Sequence, residues 1–221
     1  MERVTEPELM DDEAQARAYA EADFEEPNAH FVELFARRVG ALPAGSVVLD
    51  LGCGPADITL RIARSWPELE VHGLDGSAAM LAFGRRVLDG EPGLAERVKL
   101  VEGLVPGADL PRARYDAVVS NSLLHHLHDP SGLWRMIRDR ITPGGPVLVM
   151  DLMRPPSVEA ARELVDTYAQ GEPEVLRRDF FNSLLAAFEP GEVREQLAAA
   201  GLGGLEVAPT SDRHLVIWGR A

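Results

Sequence analysis

From residue 47 onward, short β-prone apolar runs alternate with amphipathic stretches, the runs falling at 47–51, 70–75, 98–102, 115–120 and 146–151. Nearly continuous apolar strands are buried on both faces, so the segments between them must supply the cover. Ile58, Ile62 and Trp66 share one helix face, Met80, Leu81, Gly84, Val87 and Leu88 a second, and Leu133, Trp134, Ile137 and Ile141 a third. The pattern predicts an α/β fold, a parallel sheet with helices on both faces. Before it, the acidic cluster Asp11-Asp12-Glu13 leads Ala-rich sequence within 8–23, and Phe31, Leu34, Phe35 and Val39 recur at helical spacing, which predicts two N-terminal helices. After Asp151, Val158, Ala161, Val165 and Tyr168 mark one inserted helix and Phe180, Leu184 and Phe188 a second. A helix over 190–200 then precedes two strand candidates, 205–209 and 214–219.

Charge narrows the partners. The 221 residues carry a formal net charge of −14, which opposes docking on nucleic-acid phosphates or an anionic membrane. No apolar run approaches the roughly 20 residues that span a bilayer. The start, Met1-Glu2-Arg3-Val4-Thr5-Glu6, lacks the apolar segment of a secretory signal, so a soluble, cytoplasmic protein is expected. The single cysteine, Cys53, rules out an intrachain disulfide and disfavours a thiolate zinc site.

The strand Val47-Val48-Leu49-Asp50-Leu51 runs into Gly52-Cys53-Gly54, and the acid Asp75 ends the next strand, 21 residues beyond Gly54. Glycines in such a turn let backbone approach a ligand, while the acid can accept both hydroxyls of a ribose. A dinucleotide site needs a third glycine where Asp57 stands, and a pyrophosphate at that helix start would meet a carboxylate. A cationic methylsulfonium with an amino-acid tail suffers no such penalty, and Asp50 can hold the tail's ammonium through backbone or water. The loop therefore fits S-adenosylmethionine better.

Four segments in order, Val48-Leu49-Asp50-Leu51-Gly52-Cys53-Gly54, Gly73-Leu74-Asp75-Gly76-Ser77 with Met80, Tyr115-Asp116-Ala117-Val118-Val119-Ser120-Asn121, and Thr142-Pro143-Gly144-Gly145, carry a resemblance over most of 45–150. The chain resembles the class I S-adenosylmethionine-dependent methyltransferase family. The resemblance implies a Rossmann-like, seven-stranded, mostly parallel sheet with a terminal antiparallel strand, plus helical cover. It implies one domain, with 1–44 as N-terminal helices or lid, 45–151 as cofactor-binding core, 152–189 as helical insertion over the site, and 190–221 as helix and hairpin. S-adenosylmethionine would be the cofactor and S-adenosylhomocysteine its product. Gly52 and Gly54 would pack on its methionine part, Asp75 would hold the ribose, and Asn121, Ser122 and Leu123 would lie beside the methyl. Asp50, Cys53, Gly76, Ser77, Met80, Leu104 and Val105 complete the expected set. One departure stands out: the family often has a Gly-Asp pair binding adenine where this chain has Gly103-Leu104. Backbone carbonyls near Leu104 and Val105, or the side chains of Glu102 or Asp109, would have to replace that acid.

Methyl transfer is an in-line displacement that needs alignment and exclusion of water, and a base where the acceptor must lose a proton. Three histidines follow the fourth strand in Asn121-Ser122-Leu123-Leu124-His125-His126-Leu127-His128-Asp129. His125 or His126 is a candidate base or orienting group, and packing of the loop on the sheet is the other reading. His125, His128 and Asp129 offer metal ligands, but neighbours on a short turn diverge, and no metal is expected. Candidate substrate contacts are Tyr19 and Asn28 beside Phe24 in an N-terminal lid, Arg154 after the fifth strand, and Tyr168 and Arg178 in the insertion; His214 reads as structural. The expected activity is methyl transfer to an oxygen, nitrogen, sulfur or carbon of a small molecule. A non-catalytic cofactor-binding or scaffolding role and a protein or tRNA methyltransferase are the alternatives. Asp57 and the lack of Tyr-x-x-x-Lys disfavour a nicotinamide enzyme. Apolar faces over 157–188 suit either a lid or a homodimer contact.

Overall fold

The computed structural model describes residues 1–9 and 13–221, except for the side chains of 13–15 and 21. Asp11 and Asp12 lie outside the described residues, and Glu13 opens the first helix. Five strands run parallel, β1 (Val47–Leu51), β2 (Glu70–Asp75), β3 (Val98–Glu102), β4 (Ala117–Asn121) and β5 (Pro146–Leu152). Two more, β6 (Glu206–Pro209) and β7 (His214–Arg220), form a hairpin, and β7 pairs antiparallel with the whole of β5. The resulting order is β3-β2-β1-β4-β5-β7-β6. Because β2 lies on one side of β1 and β4 on the other, the chain reverses direction there, and a crevice opens at the carboxyl ends of β1 and β4.

Nine α-helices are described: α1 (Glu13–Glu21), α2 (Glu25–Leu34), α3 (Asp57–Ser65), α4 (Ala78–Gly90), α5 (Pro92–Ala95), α6 (Ser131–Arg140), α7 (Val158–Tyr168), α8 (Glu174–Ala186) and α9 (Pro190–Ala199). A π-helical turn, Phe35–Val39, extends α2. The strand period sorts side chains between two cores. Val47, Leu49 and Leu51 join Leu133, Trp134, Ile137 and Leu197 on one face, while Val48 joins Phe31, Phe35, Ile58 and Ile62 on the other. A third cluster, Leu152, Ala161, Val165, Ala169, Leu184 and Ala187, seats α7 and α8 beyond the end of β5.

The expected strands and helices are present, with local shifts. β4 starts at Ala117 rather than Tyr115, whose backbone instead makes an isolated bridge to Ile141. Trp66 stands past the end of α3 because Pro67 follows it and disfavours helical backbone, and its ring packs 4.8 Å from Phe35. Ile141 and Phe188 likewise lie beyond α6 and α8 yet stay buried. Val87 is 37% exposed, since its side of α4 opens on the crevice rather than the sheet.

Residues 1–7, to which the sequence assigns no element, and 8–9, read as the start of the first helical region, run without helix or strand across the crevice end. The Val4 N–H donates to Leu185 O, and the Arg3 guanidinium donates to the carbonyls of Ala186, His125 and Leu127 while lying 3.8 Å over the Phe188 ring. Among the described residues no helix is long and apolar enough to cross a membrane.

Candidate functional site

A cleft of about 880 Å³ lies over the carboxyl ends of β1 and β2. Its floor is the β1–α3 turn. Gly52 (φ 72°) could not carry a side chain, for a Cβ would come within 2.9 Å of Leu123, while Gly54 (φ 54°) faces open space. The Gly54 N–H donates to Asp75 Oδ2 at 2.7 Å and the Ser77 N–H to Asp75 Oδ1 at 2.8 Å, so two backbone donors fix the carboxylate's plane at the cleft. Ser77 also caps α4 by accepting from the Met80 N–H. Asp57 is held by Asn28 Nδ2 and Arg61 Nε, and Arg61 reaches on to Glu25, which ties α2 to α3.

Asp50 is buried and accepts the Thr59 hydroxyl at 2.6 Å. Burial, with the Asp75 charge adding and Thr59 opposing, pushes its carboxyl up to about 7. Cys53 is buried, and burial raises its thiol, which suits packing rather than reactivity. At the far end Leu104, 57% exposed, and Leu9 close on Gly76 with Met80, Phe83 and Val87 near by, an apolar slot. The sequence leaves two ways to replace the missing acid here. Glu102 and Asp109 are exposed and do not line the cleft, and the Leu104 carbonyl already accepts from the Ala108 N–H at 3.1 Å.

A second cavity, about 490 Å³, adjoins the first. The two share a wall made of Tyr19, Phe24, Asn28, Asn121, Ser122 and His126, with Ala22 at its edge. Tyr19 stacks 4.7 Å from Phe24, and burial pushes its phenol up to about 12, which keeps it a neutral donor. Asn121 Oδ1 is buried and has no hydrogen-bond partner among the described residues. A buried acceptor left unpaired is costly, so this one suits a ligand's N–H or O–H.

Of the expected substrate contacts, Tyr19 and Asn28 lie in the shared wall. Tyr168 sits at the mouth of the second cavity, 45% exposed, with its hydroxyl on Asp212. Arg154 does not reach either cavity: it is buried, bonded to Ala187 O and to Glu192, and serves to join β5 to α9. Arg178 also lies outside both, 68% exposed on the outer side of α8 near Asp179. His214 lines the second cavity, bonded to Ser211, and burial pushes it down to about 4.

The histidine loop is organised by residues that sequence reasoning did not select. Asp151, at the end of β5, accepts from His125 Nδ1 at 2.6 Å and from the Leu124 N–H at 2.7 Å. Glu6 reaches in from the N-terminal segment, its Oε1 3.0 Å from His126 Nδ1 and 3.6 Å from His125 Nε2, and accepts the Ser183 hydroxyl. Burial works against a charge on each of these groups. On Glu6, His126 and His125 outweigh burial and hold the carboxyl low; on His125, the Asp151 carboxylate outweighs burial and raises the imidazole. On His126, burial and the neighbouring His125 prevail over Glu6 and lower it. Adjacent imidazoles pushed in opposite directions make one a proton holder and the other a neutral base. Glu6, His125 and His126 also bring three donor atoms within 4.8 Å of one another, a set that a divalent cation accepts. His128 instead grips the N-terminal segment through Glu6 O and Glu8, and Asp129 caps α6 at Ser131.

Residues 49–147 match the family model described as "Methyltransferase domain". An uncharacterized methyltransferase of Mycobacterium tuberculosis is 32% identical over 129 residues, 58% of this chain and 60% of that protein. A trans-aconitate 2-methyltransferase of Acidovorax sp. strain JS42 is 32% identical over 141 residues, 62% of this chain and 50% of that protein. The matches thus span only about half to three fifths of these relatives' lengths. Among solved structures, a SAM-dependent methyltransferase from Aquifex aeolicus superposes over 95% of this chain and 98% of its own, with TM-score 0.66 and 15% identity. A phosphoethanolamine N-methyltransferase of Haemonchus contortus, complexed with S-adenosylhomocysteine, covers 82% of this chain and 38% of its own, with TM-score 0.64 and 21% identity. At these identities the structural likeness speaks to fold. The methyltransferase model thus runs from β1 to the start of β5 of this sheet, and over that stretch the chain is similar to methyltransferases.

Proposed function

We propose that the chain transfers methyl from S-adenosylmethionine to a small-molecule acceptor. The observation that carries this reading is the pair of cavities meeting at a wall of Tyr19, Asn28, Asn121 and His126. A cofactor in one and an acceptor in the other would face each other there. The first cavity suits the cofactor part by part: Gly52–Gly54 offers close backbone, Asp75 stands where a ribose would lie, and Leu9, Leu104 and Met80 form a slot for a flat base. Asp50, Asp57 and Asp75 suit a cationic sulfonium with its ammonium tail. Bound in this way, S-adenosylmethionine supplies an electrophilic methyl group.

The chain's own residues would then align the acceptor and exclude water. His126, neutral because burial lowers it, would take the acceptor's proton, with Glu6 orienting its ring from the Nδ1 edge. α1, α2, α7 and α8 would form the cover over a core at 45–151, all within one domain. The test is incubation with methyl-labelled S-adenosylmethionine and a metabolite extract. Label appearing in a small product supports the reading; cofactor bound by calorimetry with no label transferred would favour a sensor instead.

A further inference from the structure

His125 and His126 stand side by side, ring centroids 4.1 Å apart, and only His126 has a direct part in the proposed transfer. His125 is buried, with His126 and Glu6 all but enclosed beside it. Asp151 takes the Leu124 and Leu152 N–H groups as well as His125 Nδ1 at 2.6 Å, and a carboxylate only accepts, so the ring donates from Nδ1. Nε2 is then the His125 nitrogen free for a proton or a metal. It faces Glu6 at 3.6 Å, too far for a hydrogen bond. His126 Nδ1 is buried and has no hydrogen-bond partner among the described residues, although Glu6 Oε1 stands 3.0 Å away. Neighbours on one short turn commonly diverge, as His128 and Asp129 do here, but these two ring nitrogens converge with the Glu6 oxygen within 4.8 Å.

We propose that Glu6, His125 and His126 form a zinc site, and that zinc bound there arrests the transfer. The second part rests on the methyl-transfer reading above. Two imidazoles and one carboxylate make a set for zinc rather than for calcium or magnesium, which take oxygen ligands. Ligand atoms about 2.0–2.1 Å from a tetrahedral ion stand about 3.3 Å apart, so Glu6 Oε1 already lies near its place against both nitrogens. Asp151 stands behind His125 as the carboxylate that orients a metal-bound imidazole. The Ser183 hydroxyl, 3.0 Å from Oε1 and 3.3 Å from Oε2, can stay on Oε2 while Oε1 meets the ion. The Arg3 guanidinium near by is turned to backbone carbonyls rather than to this set. The ion displaces the proton that the raised His125 imidazole holds on Nε2, and Glu6 and Asp151 balance its two charges. Both histidines line the second cavity, which gives the ion a way in. With the metal on Nδ1 of His126, the ring's own proton sits on Nε2, and that nitrogen no longer takes one from an acceptor.

The test titrates zinc alone into the full, EDTA-stripped chain by calorimetry, before any cofactor is added. One zinc per chain is expected. Glu6→Gln and His126→Ala should each weaken it by about a hundredfold or more, because even a group behind a ligand is worth about 10–100-fold. His30→Gln, whose imidazole bonds Thr210 instead, should leave it unchanged. Glu6 lies outside the helices and strands, so Glu6→Gln spares the cores and decides the matter if His126→Ala does not fold. No zinc bound by the parent, or equal zinc affinity in the parent and Glu6→Gln, overturns the site. In the labelled-cofactor assay zinc should stop transfer and EDTA restore it, with S-adenosylhomocysteine affinity unchanged; transfer undiminished at saturating zinc overturns the arrest. No transfer either in zinc or in EDTA counts against the methyl-transfer reading instead, while the calorimetry still decides the site.

Discussion

Asp50 sits near the end of a strand whose every residue is buried, with the Thr59 hydroxyl donating to its carboxylate. Its carboxyl is raised from 3.8 to about 7. Across that window the folded chain holds a proton that the unfolded chain has released, so stability falls as pH rises toward 7 and levels off above it. Asp50→Asn is therefore expected to raise the melting temperature at pH 8 and to change it little at pH 4. A cationic ligand favours the ionised form, so S-adenosylmethionine should bind more tightly at pH 8 than at pH 6 and release a proton. Calorimetric heats that do not vary with buffer would remove Asp50 from the ammonium site. His126 makes a second residue-level case. Turnover should rise with pH through an inflection below 6.5, because the base works neutral and its folded value is lowered. Glu6→Gln removes the charge that props this value up, so the inflection should move to more acidic pH. His126→Ala should cost about 10²–10⁴ in kcat, the usual weight of a general base, with cofactor affinity near that of the parent. A pH profile identical in the parent and Glu6→Gln would sink the pairing.

At the scale of elements, the extended segment 1–9 is the part that sequence patterning does not anticipate. It has no helical or strand period, and what places it is Arg3, a planar fork whose donors reach one carbonyl at the end of α8 and two in the histidine loop. Lysine lacks that fork. Arg3→Lys is thus expected to behave like Arg3→Ala: faster amide exchange at His128, whose N–H donates to Glu8, and lower turnover as Glu6 leaves the histidines. Retention of both properties in Arg3→Lys would mean that charge alone seats the segment. The regular elements were far more legible. All seven strands lie within two residues of where the alternation puts them, because a buried strand is written in contiguous apolar residues. The helix ends were harder to read: Trp66, Ile141 and Phe188 fit a helical spacing yet pack just past the helices, Ile141 and Phe188 buried and Trp66 partly so.

For the molecule as a whole, a ligand that binds only the folded chain raises its stability by about 2.7 kcal/mol at a hundredfold excess over Kd. For a chain of this size that is a shift of about 5–10 °C in Tm. S-adenosylhomocysteine should produce it and NADH should not; equal shifts would undo the cofactor assignment. Methyl transfer is also expected to survive EDTA, because Asp151 and Ser183 already answer His125 and Glu6 with hydrogen bonds. Loss of turnover in EDTA, restored by zinc, would instead make a cation at Glu6, His125 and His126 part of the catalyst.

Residues 47–151 determine by themselves the five parallel strands, the glycine turn and the acid at the end of β2. Each of these depends on neighbours in sequence or on one strand-to-strand spacing. The site around them was decided by tertiary structure. Arg154, read as an acceptor contact, became a buried tie to Glu192. Glu6 met the histidines from the other end of the chain, and Asn121 was left with an unpaired oxygen between two cavities. Which carboxylate faces which imidazole depends on how distant surfaces dock, and no local period encodes that.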